Sequence, residues 1–349
     1  MDLTPLRDLA LAALGVGFAF VASPTTALAA NAPAGLESGS RILREDFASD
    51  PQLRNWISFG ASELFRWNQA AQRLDVTWNS GKPNSYFRLP LGTVLTRQDD
   101  FSVELDLTLN HISAGGGADK PGTFQIAFGF QKRLDAEKPE FVRGAGDRSP
   151  NLVEFNFFPD TGFGPTVWPA VVSSRGRFNY NNAGDFSLFD LPVGVPLRIV
   201  LRYASSEETA SILVTTNGVP VGPVADAPLS PTFTGFELDT LSISSYSDAG
   251  QSPFLPGSIL AQGELDNVTV TIPPPPIQDE SGAIVDGRWE QTLTSRPGWE
   301  YTLEATVDFA SWKAVSAPKP GSGGSIRLRD LSESAGSFRF LRVKAVRLP

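Results

Sequence analysis

Phe101-Ser-Val-Glu-Leu-Asp-Leu-Thr-Leu109 is the stretch whose reading decides the fold. Apolar residues fall at every second position. A period of two places Phe101, Val103, Leu105, Leu107 and Leu109 on one face and Ser102, Glu104, Asp106 and Thr108 on the other, the pattern of a half-buried antiparallel strand. The same alternation returns in Phe124, Ile126, Phe128 and Phe130, in Leu197, Ile199, Leu201 and Tyr203, and in Val268, Val270 and Ile272. Clusters of Gly, Pro, Asn and Asp separate these runs, and Asn217-Gly218 is a hairpin turn signal. No amphipathic helix and no repeat of fixed period interrupts the pattern. The expectation is an all-β protein: a two-sheet antiparallel jelly-roll sandwich followed by a small β domain.

The ends of the chain differ from its body. Leu9–Ala22 is a short apolar run, broken by Pro24 and followed by Ala27-Leu28-Ala29. It reads as a signal peptide over 1–29 and implies an exported protein, secreted or at a cell surface. The mature chain carries no apolar stretch long enough to span a bilayer. The chain has no cysteine, which excludes disulfides and thiolate metal sites. An exported, cysteine-free chain with an alanine-rich leader points to a bacterial source. Ile272-Pro273-Pro274-Pro275-Pro276-Ile277 is a stiff, sheet-breaking run. It divides a jelly-roll domain over 30–272 from a linker over 273–283 and a small C-terminal β module over 284–349. Residues 30–283 hold 18 Lys and Arg against 29 Asp and Glu, whereas 284–349 hold 10 against 7. The acidic body argues against a nucleic-acid partner.

Two loop-like segments stand out, a glycine-rich one over 111–122 and a charged one over 131–150. The polar faces of the strands supply the site residues. Glu104 and Asp106 share a face, Gln125 precedes the small residues Ala127 and Gly129, and Glu154 and Asn156 alternate with Val153, Phe155 and Phe157. Were these strands neighbours, they would line a polar groove suited to sugar hydroxyls. The competing reading is a sheet face that simply meets water. His111 is the one histidine, so a Ser-His-Asp triad or a histidine-rich metal site has nothing else to draw on.

Glu104-Leu-Asp106-Leu-Thr108-Leu109 resembles the catalytic strand of β-glucanase-type hydrolases but lacks its second glutamate; Glu154-Phe-Asn156-Phe-Phe158 lacks more. Val153-Glu-Phe-Asn-Phe-Phe-Pro-Asp-Thr-Gly-Phe-Gly-Pro165 resembles the metal-binding strand and loop of L-type lectins. By that resemblance Glu154, Asn156 and Asp160 stand at ligand positions, while Pro165 and Ala170 occupy those of the later aspartate and histidine. The resemblance implies a concanavalin A-like jelly roll. Its two-metal site is not retained, and the surviving oxygen donors Glu154, Asn156 and Asp160 would suit calcium. The function expected from the polar groove is non-enzymatic binding of a polysaccharide or cell-surface glycan through Glu104, Asp106, Gln125, Glu154 and Asn156. The rival readings are a polysaccharide hydrolase or lyase using Glu104 and Asp106, and a structural or adhesion module without a sugar site. In the tail, Trp289, Trp299 and Trp312 read as the scarce core of a very small domain, with stacking on sugars as the alternative.

Overall fold

The computed structural model describes residues 40–143, 148–161, 164–176, 187–222, 225–251, 256–332 and 339–348. The expected signal peptide over 1–29 lies outside the described residues. Leu36–Pro349 is one compact unit. Among the described residues no helix is long and apolar enough to cross a membrane.

In chain order the larger body contains β1 (Arg41–Glu45), β2 (Ile57–Phe59), β3 (Phe65–Asn68), β4 (Arg73–Asn79), β5 (Ser85–Thr96), β6 (Phe101–Ala114), β7 (Gly122–Thr123), β8 (Ile126–Gln131), the single-turn α1 (Arg133–Ala136), β9 (Leu152–Phe158), β10 (Thr166–Val172), β11 (Ser187–Leu188), β12 (Pro196–Ala204), β13 (Thr209–Thr216), β14 (Val219–Pro220), β15 (Ala225–Pro228), β16 (Glu237–Ser245) and β17 (Gly257–Ile272). They form two sheets. Ten strands run β14-β13-β12-β6-β17-β4-β3, with β1, β7 and β15 at its margins; seven run β11-β10-β9-β8-β16-β5-β2. The all-β sandwich expected from the period-two runs is the architecture found.

The core forms where the two apolar faces meet. Leu105 and Leu107 from one sheet join Phe128 and Phe155 from the other in a single cluster. Phe101 meets Phe130 edge-on with ring centroids 4.8 Å apart, bridging β6 to β8. Each fully buried side chain of this size contributes about 1.5–3 kcal/mol. With no disulfide present, that burial carries the stability. At Asn217-Gly218 both φ angles are positive, 51° and 75°, and Thr216 pairs with Val219, so the turn closes the hairpin its sequence announced.

The tail adds β18 (Ile277–Val285), β19 (Arg288–Ser295), β20 (Trp299–Thr306), β21 (Lys313–Ala314), β22 (Lys319–Pro320), β23 (Ser325–Arg329) and β24 (Phe340–Arg347). One sheet runs β18-β19-β23; in the other, β20 pairs with β21, β22 and β24. Leu293, Tyr301, Leu303 and Leu328 form its small separate core. Trp289 and Trp299 pack against that core, as expected; Trp312 is not part of it. The proline run is not a free spacer. Pro273 and Pro274 are buried, Tyr301 Oη donates to Pro276 O at 2.5 Å, and β18 begins at Ile277, inside the segment 273–283 read as linker.

A buried ion cluster ties the tail to the sandwich. Asp99, in the β5–β6 turn, accepts from Arg296 Nη2 at 2.9 Å and from Arg347 Nη1 at 2.6 Å. Its Oδ2 also accepts from the backbone and hydroxyl of Thr96. Two arginines far apart in the tail thus converge on one desolvated carboxylate.

Candidate functional site

The sheet order separates the residues that the sequence groups together. Glu104 and Asp106 lie on β6, whose neighbours are β12 and β17. Glu154 and Asn156 lie on β9 of the other sheet, opposite Gly129 and Ala127 of β8. The single groove through Glu104, Asp106, Gln125, Glu154 and Asn156 is therefore corrected: the hydrophobic core stands between its two halves. Alternation tells which face a residue takes but not which strands pair, and these pairings join residues far apart in the chain.

The half around Glu154 is closed. Along this outer face of the seven-stranded sheet, Tyr86 and Arg88 follow on β5, Ser242 and Ser244 on β16, and the small Ala127 and Gly129 on β8. The segment from α1 to Arg143 lies across it. Tyr86 Oη donates to Ala136 O at 3.1 Å, Arg88 Nη2 meets Glu137 Oε1 at 2.6 Å, and Asn84 Nδ2 donates to Phe141 O at 2.8 Å. Phe141 stacks on Tyr246, and Tyr246 meets Tyr86 edge-on. Beneath them Arg143 Nε donates to Glu154 Oε1 at 2.5 Å, Arg143 Nη2 to Asn156 Oδ1 at 3.3 Å, and Tyr246 Oη to Glu154 Oε2 at 2.7 Å. Side-chain exposure of Arg143 and Glu154 is 3% and 1%, so a sugar reaches neither. Burial first, then the Glu154 charge, pushes the Tyr246 hydroxyl well above its ordinary pKa, which keeps it a donor to that carboxylate.

The calcium expectation at Glu154, Asn156 and Asp160 fails on the same contacts. Each Glu154 oxygen, and the Asn156 oxygen that would face a cation, already accepts a hydrogen bond. A guanidinium holds the place where a metal would sit. Asp160 is exposed, beyond the end of β9. Gln125 is buried, and among the described residues neither of its amide atoms has a partner.

The other half is open. Glu104 and Asp106 sit on the outer face of the ten-stranded sheet with side chains 40% and 39% exposed, and Arg198 holds both, at 3.2 and 3.1 Å. Asn267 Nδ2 adds a bond to Asp106 Oδ2 at 2.8 Å. Further along β6 the register slips: Leu109 pairs with Gly263 but His111 with Gln262, leaving Asn110 as an inserted residue. This β-bulge turns both Asn110 and His111 outward, while Ile112 packs back toward the core. The strand runs on to Ala114, so His111 belongs to a strand and not to the flexible loop over 111–122.

Beside the bulge lies a cleft of about 320 Å³ lined by Arg66, Arg73, Asp75, Asn110, Gln262 and Glu264, among others. Its floor is Gly263, where a Cβ would stand 2.8 Å from Thr108 O and 3.2 Å from the Trp78 ring. A chain of charges fixes the walls. Arg66 Nη2 meets Asp75 Oδ2 at 2.7 Å, Arg73 bridges Asp75 at 3.3 Å and Glu264 at 2.5 Å, and Asn110 Nδ2 donates to Glu264 Oε1 at 2.8 Å. Nearby, burial raises the Asp266 carboxyl above its usual range, and Asp106 adds to the effect. The cleft thus offers preordered donors and acceptors of both signs on an open surface. Sequence reasoning missed it, except for Glu104 and Asp106 on the same face, because its residues come from three strands and a bulge.

Solved structures align with about two thirds of this chain. Lectin UEA-II complexed with galactose is 11% identical, covers 67% of this chain and 98% of its own, and has a TM-score of 0.43. Lectin I from Ulex europaeus, complexed with the methyl glycoside of α-L-fucose, is 12% identical over 67% and 98%, with a TM-score of 0.41. The alginate lyase Aly36B is 10% identical over 66% and 96%, with a TM-score of 0.39. These are likenesses of fold. No family model matches the chain, and no curated protein matches it in sequence.

Proposed function

We propose that this is an exported, non-enzymatic glycan-binding protein whose sugar site is the bulge-side cleft on the ten-stranded sheet. One observation carries the reading: a polar cleft of about 320 Å³ whose charged and amide groups are held in place by one another. Its size suits a few sugar residues, and its walls present both donors and acceptors to hydroxyl groups. Glu104 and Asp106, on the same face, extend the polar surface along β6. Binding is favoured over hydrolysis because both carboxylates are exposed and share Arg198.

A glycan array probed with the full chain tests this, alongside Asn110→Ala and Gln262→Ala. Retention on one glycan class that both substitutions weaken at least tenfold is the expected result. A chain that binds nothing, or binds equally well with both residues removed, overturns it. The second reading, a structural or adhesion module of a cell surface, draws support from the closed Glu154 face. A module freed of a ligand on that face can fill it with its own side chains.

A further inference from the structure

The tail carries an aromatic surface that the cleft does not explain. On β20 and β24, Tyr301, Leu303, Leu341 and Val343 face the small core. The opposite face therefore carries Thr302, Glu304 and Thr306 beside Lys344, Arg342 and Phe340. At its end the turn after β20 folds back over the sheet. Asp308 Oδ1 accepts from the backbone of Ala310 and Ser311 at 2.9 Å each, and Thr306 Oγ1 accepts from Phe309 N at 3.0 Å. The hydrogen bond from the Ser311 backbone leads the set that holds the Asp308 carboxyl below its usual range.

The turn places Phe309 on the surface, 59% exposed, with its backbone at φ 58°. A bulky residue rarely adopts that conformation. The ring lies over Phe340, centroids 3.9 Å apart, and meets Trp312 edge-on at 6.3 Å. Arg342 covers Trp312 at 4.0 Å and donates to Glu304 Oε2 at 2.7 and 2.9 Å. Phe309 does not project as a membrane-inserting wedge would; its ring lies against Phe340 as a ledge, with Arg342 over the neighbouring Trp312.

We propose that this ledge is a second saccharide-binding site, in which a pyranose ring stacks on Phe309 beside Trp312 while Arg342 and Lys344 reach its hydroxyl or acidic groups. The chemistry fits one sugar ring, which pairs an apolar face with a polar rim. A protein partner fits less well. Three rings, two of them partly covered, fall short of the roughly 800 Å² per partner that a stable protein interface buries. The site is independent of the cleft and stands or falls alone.

The test is sedimentation of the full chain with insoluble cellulose, chitin and xylan, comparing wild type with Phe309→Gly and Trp312→Ala. Phe309→Gly removes the ring and suits the positive φ, so its melting temperature should hold or rise. The expected result is retention on at least one polysaccharide that falls at least fivefold in both variants at unchanged melting temperature. A wild type retained on none of the three overturns the proposal. So does retention that survives both substitutions, and when that retention falls with Gln262→Ala the cleft reading stands while the ledge fails. Sedimentation with phosphatidylglycerol vesicles that both variants lose, without loss on polysaccharide, would also overturn it and make the ledge a lipid contact.

Discussion

Replacing Arg143 by methionine is the sharpest perturbation of the closed face. Methionine keeps most of the side-chain stem and removes the charge. Glu154 then remains 1% exposed, with Tyr246 Oη as its charge-neutral donor at 2.7 Å. Removing one member of a buried ion pair costs about 3–5 kcal/mol, because the partner's charge is left desolvated. With a urea dependence of about 2–3 kcal/mol per molar, the unfolding midpoint falls by about 1–2.5 M. Removing both charges together, Arg143→Met with Glu154→Gln, leaves a neutral amide that still accepts from Tyr246. That pair of changes should cost only about 1–2 kcal/mol, the scale of the remaining lost hydrogen bonds. Glu154→Gln alone strands the Arg143 charge and should likewise cost about 3–5 kcal/mol, so the double-mutant cycle predicts a coupling of about 4 kcal/mol or more, measured by urea unfolding followed through tryptophan fluorescence. A single substitution costing under about 0.5 kcal/mol would be the behaviour of an exposed pair. That result would refute the claim that the segment from α1 to Arg143 seals this face.

Three further outcomes follow from the same structure. Asp99→Asn leaves Arg296 and Arg347 without their shared carboxylate and should loosen the tail by about 3 kcal/mol; faster proteolytic cleavage near residues 273–276 is the readout, and an unchanged digest contradicts it. Gly263→Ala drives a Cβ into the core side of the sheet, 2.8 Å from Thr108 O and 3.2 Å from the Trp78 ring, and should cost about 1–3 kcal/mol of overpacking; an unaltered melting temperature would show that the core beneath the cleft has slack. Glu304 is held below the usual carboxylate range, burial opposing and the hydrogen bonds from Arg342 and Lys344 prevailing. A lowered folded value means that its stabilisation is present above the unfolded pKa, about 4.3, and is lost as pH falls below it. The tail should therefore lose stability on acidification through that window, and Glu304→Gln should flatten this limb; an identical pH profile in the variant would count against the pairing.

The fold was legible because burial follows the apolar alternation along the ten-stranded sheet, although β8, β9 and β10 are buried on both faces. In β6, positions 101 to 109 alternate buried and half-buried in step with the apolar period. The candidate site was legible only in part. The small Ala127 and Gly129 do leave room above β8, but the chain fills that room with its own cap from the charged segment after β8. A charged segment reads as solvated loop when its partner carboxylate lies eleven residues further on and is recognised only in three dimensions. The bulge at Asn110 carries no sequence signal beyond the end of a clean alternation at Leu109. Trp312 was grouped with two core tryptophans by residue type, whereas only its place after the turn sets it on the opposite face.

The central claim is that ligand meets the open cleft and not the sealed face of β9. Hydrogen–deuterium exchange of the full chain, with and without a glycan that the array shows it retains, tests this most directly. New protection is expected in residues 73–77, 108–111 and 262–264, and none in 133–143 or 152–158. Protection appearing over 133–143 and 152–158, with the cleft strands unchanged, would contradict it and place the sugar on the face described here as closed.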